Sequence, residues 1–274
     1  RQHQNETGLV AGELVTETER NIIATATMSE NDVLEARKYV VLLDTMLREE
    51  PFMEIFKYLD SMKVKRSSLT MSLYKNLDKA PKDIQKCFND YIAEVLAECF
   101  ETEGEVLEYM KKHGKDYSFG KKGGDLLRYS QKLWIEHYRS MIKWIFKNLN
   151  LITNYEKNYE NLCQLRELKK YFLTLHPERL NESMIETNNI IKKKFSYDIL
   201  MWSNDKTNKK LTEYKKEVTY YFEGTKFSRV PKSSIWNSFG FNLNQDSIYI
   251  RSAFRRLYLS RTRRKITRED GIDI

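Results

Sequence analysis

Glu94, Glu98 and Cys99 put two carboxylates and a thiol near one end of a segment whose apolar residues recur at helical spacing. A zinc or di-iron site built on helices needs a histidine one turn from a carboxylate, or paired cysteines, because the ligands must converge on one ion. The sequence has no Glu-x-x-His, no His-Glu-x-x-His and no Cys-x-x-Cys, so Glu94 and Glu98 read as surface charges and no metal ligand is assigned. The 3 cysteines, Cys87, Cys99 and Cys163, are odd in number and far apart. That usage fits reduced thiols in a cytosol better than a disulfide framework.

Other spacings are tested the same way. "GKKGGD" at 120–125 lacks the Gly-x-x-x-x-Gly-Lys-Ser/Thr spacing of a phosphate loop and follows no apolar strand, so it reads as a turn. No Gly-x-Ser-x-Gly occurs and no cysteine adjoins a histidine, which leaves a hydrolase triad without an anchor. His137 sits among Trp134, Tyr138, Met141 and Trp144. Such a histidine is either a core residue with one hydrogen bond or, with Tyr138 and Trp134, a substrate-facing contact in an aromatic pocket. No catalytic or cofactor-binding residue is assigned.

Charge is placed unevenly. Residues 1–180 carry 28 basic and 28 acidic side chains, whereas residues 181–274 carry 19 and 11, so the net +8 sits in the second part. "RSAFRRLYLSRTRRKITR" at 251–268 has 8 basic residues and no acid. Arg251 and Arg255 with Tyr258 have helical spacing, and with Arg256, Arg263 and Arg264 they form a candidate site for an anionic partner. Nucleic acid is the weaker choice of partner, since no known binding module is present.

These residues need elements to hold them. Residues 13–27 are rich in Thr, Val and Ile and read as a strand or strand pair, with the segment near 217–222 as the chief partner. Ser29 is a good N-cap, and Glu30 and Asp32 suit a first helical turn. Val33, Ala36, Val40, Leu43 and Leu47 then recur at helical spacing, widened by Leu34, Val41, Leu42 and Met46, which suggests burial on more than one side. Helices are expected after Pro51, over 66–78, and from Pro81, the last with Ile84, Phe88, Tyr91, Ile92, Val95, Leu96 and Cys99 on one side. A short helix follows over 103–112, and 113–125 reads as the clearest loop. Asp125 is expected to cap one long central helix, followed by helices over 156–174 and 178–194, a strand over 217–224 and a closing helix over 247–259. No apolar run approaches the ~20 residues of a membrane span.

The fold class expected is therefore mainly α, a multi-helix domain with an N-terminal edge strand and a small C-terminal strand and helix, an accessory domain if the resemblance given next holds. Its parts divide as 1–28, 29–194 and a basic 195–274.

"ELVTETERNIIATATMSENDVLEARKYVVLLDTMLREEPFMEIFKYL" resembles the segment just after the catalytic barrel in radical S-adenosylmethionine enzymes with a cobalamin-binding domain. In that family a strand ends in a Thr-Met-Ser-like turn, then an acidic helix start and an Ala/Ser-Arg pair. The counterparts are Thr27, Met28 and Ser29, then Glu30 and Asp32, then Ala36 and Arg37. "YDILMW" at 197–202, Tyr220 to Phe222 and the Arg-rich end are similar to the family's end region. The resemblance implies an upstream barrel in the same polypeptide, whose substrate pocket this region helps to close. For the full-length enzyme it implies a [4Fe-4S] cluster, S-adenosylmethionine and, in cobalamin-dependent members, cobalamin. The Cys-x-x-x-Cys-x-x-Cys and Asp-x-His-x-x-Gly motifs are not in this chain, so no cofactor is assigned to it. The competing reading is an independent helical binding protein that uses its basic C-terminal helix for an anionic partner or nucleic acid.

Overall fold

The structure is a computed structural model that describes residues 2–11, 13–20, 22–47, 52–118, 126–135, 137–153, 158–175, 190–207, 209–222 and 266–269. It is mainly helical, with a strand element at each end of the chain.

Strands β1 (Gln2–Val10) and β2 (Glu13–Arg20) form an antiparallel hairpin with Val10 opposite Glu13. Ala11 takes a left-handed φ of 50° at the turn, as tight two-residue connections require. β1 also pairs with β3 (Cys99–Phe100), giving the order β2-β1-β3. The strand expected over 13–27 thus stops at Arg20, and residues 22–29 continue without strand pairing. Its partner is the adjacent polar β1 rather than the segment near 217–222. Backbone hydrogen bonds make the ladder, so polar side chains do not disqualify a strand whose sheet has a wet face.

Helix α1 (Glu30–Leu47) starts as expected. The Asp32 N–H donates to the Ser29 hydroxyl at 3.2 Å, while Asp32 Oδ2 accepts from the Ser29 N–H at 2.8 Å and hydroxyl at 2.7 Å. This is a reciprocal capping box. It holds the Asp32 carboxyl below its ordinary pKa, the Ser29 hydroxyl being the larger cause. The buried face is not the expected stripe. Val41, Leu42, Thr45 and Met46 face the core, whereas Val40 is 45% and Leu47 48% exposed. A helix apolar on both sides carries no local signal for which side the neighbours occupy; here α3 (Arg66–Lys75) and α6 (Leu126–Ile135) decide it.

Helix α2 (Met53–Ser61) precedes α3, and α4 (Lys82–Ala97) follows a 3-10 turn over Leu77–Lys79. α4 buries Ile84, Cys87, Phe88, Tyr91 and Val95, but Leu96 is exposed and Cys99 lies beyond the helix in β3. Helix α5 (Glu103–Ser118) runs six residues into the expected loop. It packs against the hairpin, where Val106 and Met110 are buried.

The expected central helix is two helices, α6 and α7 (Tyr138–Thr153). At the break the His137 N–H donates to the Lys132 carbonyl at 3.2 Å, and the His137 carbonyl accepts from Met141 at 2.8 Å, starting α7. No glycine or proline marks the place. The observable partners are tertiary: the Tyr138 hydroxyl donates to the Phe172 carbonyl at 2.8 Å, and His137 faces Asp83.

Helix α8 (Tyr159–Leu175) matches its expected position. The expected 178–194 helix is corrected at its end, where Ile191–Phe195 is strand β4; residues 176–189 lie outside the described residues. β4 pairs with β5 (Val218–Phe222), and β5 with β6 (Ile266–Arg268), both antiparallel. Between β4 and β5 lie α9 (Ile199–Asn204) and a 3-10 turn over Leu211–Tyr214. Asp125 and 247–259 lie outside the described residues. Helices α1–α4 and α6–α9 and the β4-β5-β6 sheet share one apolar core, to which α5 contributes no buried residue among those described. Phe52, Phe146, Tyr171, Phe172, Phe195 and Phe222 join it through ring contacts of 5.7–6.4 Å. Large buried aromatics contribute much of the stability of such a core.

Candidate functional site

The segment that carries the family resemblance lines a cleft. Ile22 and Ile23 leave β2 and meet Val33 and Leu34 of α1 and Val95 and Leu96 of α4. Glu30, Arg37 and Cys99 supply its polar atoms. The turn above it is local: the Thr25 N–H donates to the Met28 carbonyl at 2.8 Å, just before the Ser29 cap. The cleft has room for about 20 Å³, the space of one water. Drug-sized ligands occupy roughly 300–1,000 Å³, so these walls hold no substrate unaided. Ile22 stands 78% exposed at its edge. The Cys99 thiol donates to the Val95 carbonyl at 3.3 Å.

The substrate-facing candidates diverge. His137 is half-buried with Nδ1 3.4 Å from Asp83 Oδ2, tying the α6–α7 break to the start of α4. Tyr138 is buried, with its hydroxyl committed to Phe172. Trp134 lies in α6, and its side chain is outside the described residues. The cleft lies against α1 and α4, and its described lining includes neither His137 nor Tyr138.

Of the acidic pair read as surface charges, Glu98 is buried at 5% exposure and Glu94 is half-buried, which corrects that expectation. Glu98 follows the end of α4 directly, where the chain turns into β3 and loses the outward face of a helix. Among the described residues, no group of three His, Cys, Asp or Glu is placed to hold a metal ion. Cys87, Cys99 and Cys163 stand on α4, β3 and α8.

A third place was not legible as a site. Asp198 caps α9: its Oδ1 accepts from the Met201 N–H at 3.1 Å and the Tyr220 hydroxyl at 2.8 Å. Its Oδ2 meets Arg268 Nη1 at 2.8 Å, with both side chains buried. Burial first, and the Asp198 carboxylate with it, hold the Tyr220 phenol far above its ordinary range. An aspartate before an apolar run in "YDILMW" signals a helix cap, but nothing local points to Arg268. Nearby, Lys57 Nζ donates to the carbonyls of Trp202, Ser203 and Asp205 at the end of α9, where a helix dipole favours a cation. Burial lowers its pKa. This arrangement fixes α9 between α2 and the sheet; it is a structural tie.

Arg268 belongs to the basic stretch, and its charge is spent internally. Arg251, Arg255, Arg256, Arg263 and Arg264 lie outside the described residues. No helix among the described residues is long and apolar enough to cross a membrane. Comparison with protein families, curated proteins and solved structures found no match.

Proposed function

We propose that this chain is the C-terminal accessory region of a radical S-adenosylmethionine enzyme, and that it closes the substrate side of a catalytic barrel supplied upstream in the same polypeptide. One observation carries the reading. The segment that resembles the barrel exit runs as strand, turn and capped helix, and β2 is the outer strand of its sheet among the described residues. An outer strand offers a row of backbone donors and acceptors to a further strand.

Ile22 extends that edge as an exposed apolar side chain, and the small cleft behind it gains volume only if another wall is added. In this role the chain binds neither cluster nor S-adenosylmethionine. When bound to the barrel, those groups supply the radical chemistry, and in cobalamin-dependent members cobalamin adds to it. The residues of this chain position and cover: Ser29 and Asp32 fix the turn, Ile22 and Ile23 present apolar surface, and Arg37 and Glu30 place charge at the cleft.

The test is the upstream coding sequence and its product. The expected finding is a Cys-x-x-x-Cys-x-x-Cys motif upstream, and a full-length protein that retains iron after anaerobic reconstitution and cleaves S-adenosylmethionine. A start codon immediately before Arg1, with no such motif, would overturn the reading.

A further inference from the structure

The C-terminal end of the fold engages its acids and leaves most of its lysines free. Over 190–222 and 266–269 the described residues include 8 lysines and 5 acids. Asp198 is taken by Arg268, and Glu269 pairs with Lys192 at 2.9 Å. Glu217 meets Lys194 at 2.5 Å, and Glu213 accepts the Lys210 N–H at 3.0 Å. Asp205 accepts from the Tyr214 hydroxyl and from the Thr207 N–H at 2.7 Å. Lys193, Lys206, Lys209, Lys210, Lys215 and Lys216 are exposed and form no ion pair among the described residues. Lys209 adds a weak attraction to the Asp205 carboxylate.

Hydrogen bonds bring the segments that carry these lysines together. The Asp198 N–H donates to the Tyr214 carbonyl at 2.9 Å, and Trp202 Nε1 donates to the Lys209 carbonyl at 3.0 Å. The Lys194–Glu217 pair ties the end of β4 to the start of β5. Lys210 and Lys215 flank the 3-10 turn Leu211–Tyr214, about 10 Å apart along it at ~2 Å per residue.

We propose that this lysine-rich surface binds a single-stranded nucleic acid through its backbone phosphates, without reading base sequence. The residue type argues for phosphate. Lysine is a compact point charge that suits phosphate, whereas bidentate recognition of carboxylates favours arginine. Protein–protein interfaces are depleted in lysine and enriched in arginine and aromatics. The one arginine among the described residues of this end, Arg268, is buried in its own pair. A stacked strand carries a charge every ~3.4 Å, so the two ends of the 3-10 turn span about three phosphates. A duplex is read by a helix or ribbon set in a groove, and α9 has only 6 residues. The missing binding module bears on base recognition, not on phosphate contact. Residues 1–180 are electrically balanced, so the field that steers a polyanion arises at this end of the chain. The inference does not rest on the barrel reading, which uses the β2 edge, and the two fail separately.

Fluorescence anisotropy with a labelled oligouridylate of about 15 nucleotides, near the upper site size of small single-strand binders, tests it on the 274-residue chain. If all six lysines contact phosphates, log K should fall with log salt at a slope of about −4. Lys209→Gln/Lys210→Gln and Lys215→Gln/Lys216→Gln should each make that slope shallower by about 1.4. Each should weaken binding about tenfold at about 0.1 M salt. All four positions are exposed, so circular dichroism and melting temperature should stay those of the parent. Lys111→Gln/Lys112→Gln removes the same charge from exposed sites on α5 and should leave slope and affinity unchanged. Three double variants with equal effects would mean that net charge alone attracts the strand, and would overturn the inference. So would no binding at about 50 mM salt, where phosphate contacts are strong, or binding indifferent to the four patch lysines. Binding to vesicles of equal phosphatidylserine and phosphatidylcholine, with none to the oligonucleotide, would assign the surface to a membrane and overturn it as well.

Discussion

Arg268 of β6 holds its Nη1 2.8 Å from Oδ2 of Asp198, the residue that caps α9. Two segments 70 positions apart are joined by a buried charge pair, and the Tyr220 hydroxyl donates to the other carboxylate oxygen, Oδ1, at 2.8 Å. Breaking such a pair leaves a charge buried without compensation. Arg268→Met is therefore expected to destabilise the chain by about 3–5 kcal/mol in urea denaturation. The double variant Asp198→Asn/Arg268→Met should recover much of that loss, since it removes both charges. A single variant within about 0.5 kcal/mol of the parent, the range of inconsequential surface changes, would mean the pair contributes no net stability.

Asp205 gives a pH dependence with a definite sign. The Tyr214 hydroxyl chiefly, then the Thr207 N–H at 2.7 Å, lower its carboxyl pKa from 3.8 to about 2. A carboxylate depressed in the folded state contributes stability that is fully present above its unfolded pKa and is lost as pH falls through the folded one. The urea midpoint of the parent should therefore exceed that of Asp205→Asn near neutrality. The gap should shrink as pH is lowered from about 4 toward about 2. A gap independent of pH over that window would show that the Tyr214 contact does not favour the charged form.

Position along the chain was more legible than orientation. Ser29, Glu30 and Asp32 announce α1, and the capping hydrogen bonds sit where those residue types place them. The buried face of α1 was not legible, because both Val33–Leu47 sides are apolar and only tertiary packing chooses between them. The α6–α7 break has no glycine or proline to signal it; its visible partners, Asp83 and the Phe172 carbonyl, come from elsewhere in the chain. β4 is hidden by "IKKKF", whose three lysines read as a helix surface yet suit the outer strand of a sheet, where lysine discourages further pairing. β1 is hidden by its polar residues, and Arg268 by the basic run around it.

The hairpin's place in the fold yields a deletion test. Among the residues of 1–28 whose side chains are described, none belongs to the main apolar core, while Val106 and Met110 of α5 are buried outside it, beside the hairpin. Removing residues 1–28 should leave the helical circular dichroism and the main cooperative transition in place, and should speed proteolysis within α5 as its cover is lost. Global unfolding of the shortened chain would show that the hairpin is part of the central core.

The most direct test of the barrel reading is amide hydrogen exchange across Glu13–Arg20 and at Ile22, measured in this chain and in the protein extended upstream. β2 has a strand on one side only among the described residues, so the amides that alternate toward its open edge should exchange fast in the 274-residue chain. In the extended protein those same amides should become protected, together with Ile22, as a neighbouring strand accepts their hydrogen bonds. Identical exchange at these positions in the two proteins would contradict the account.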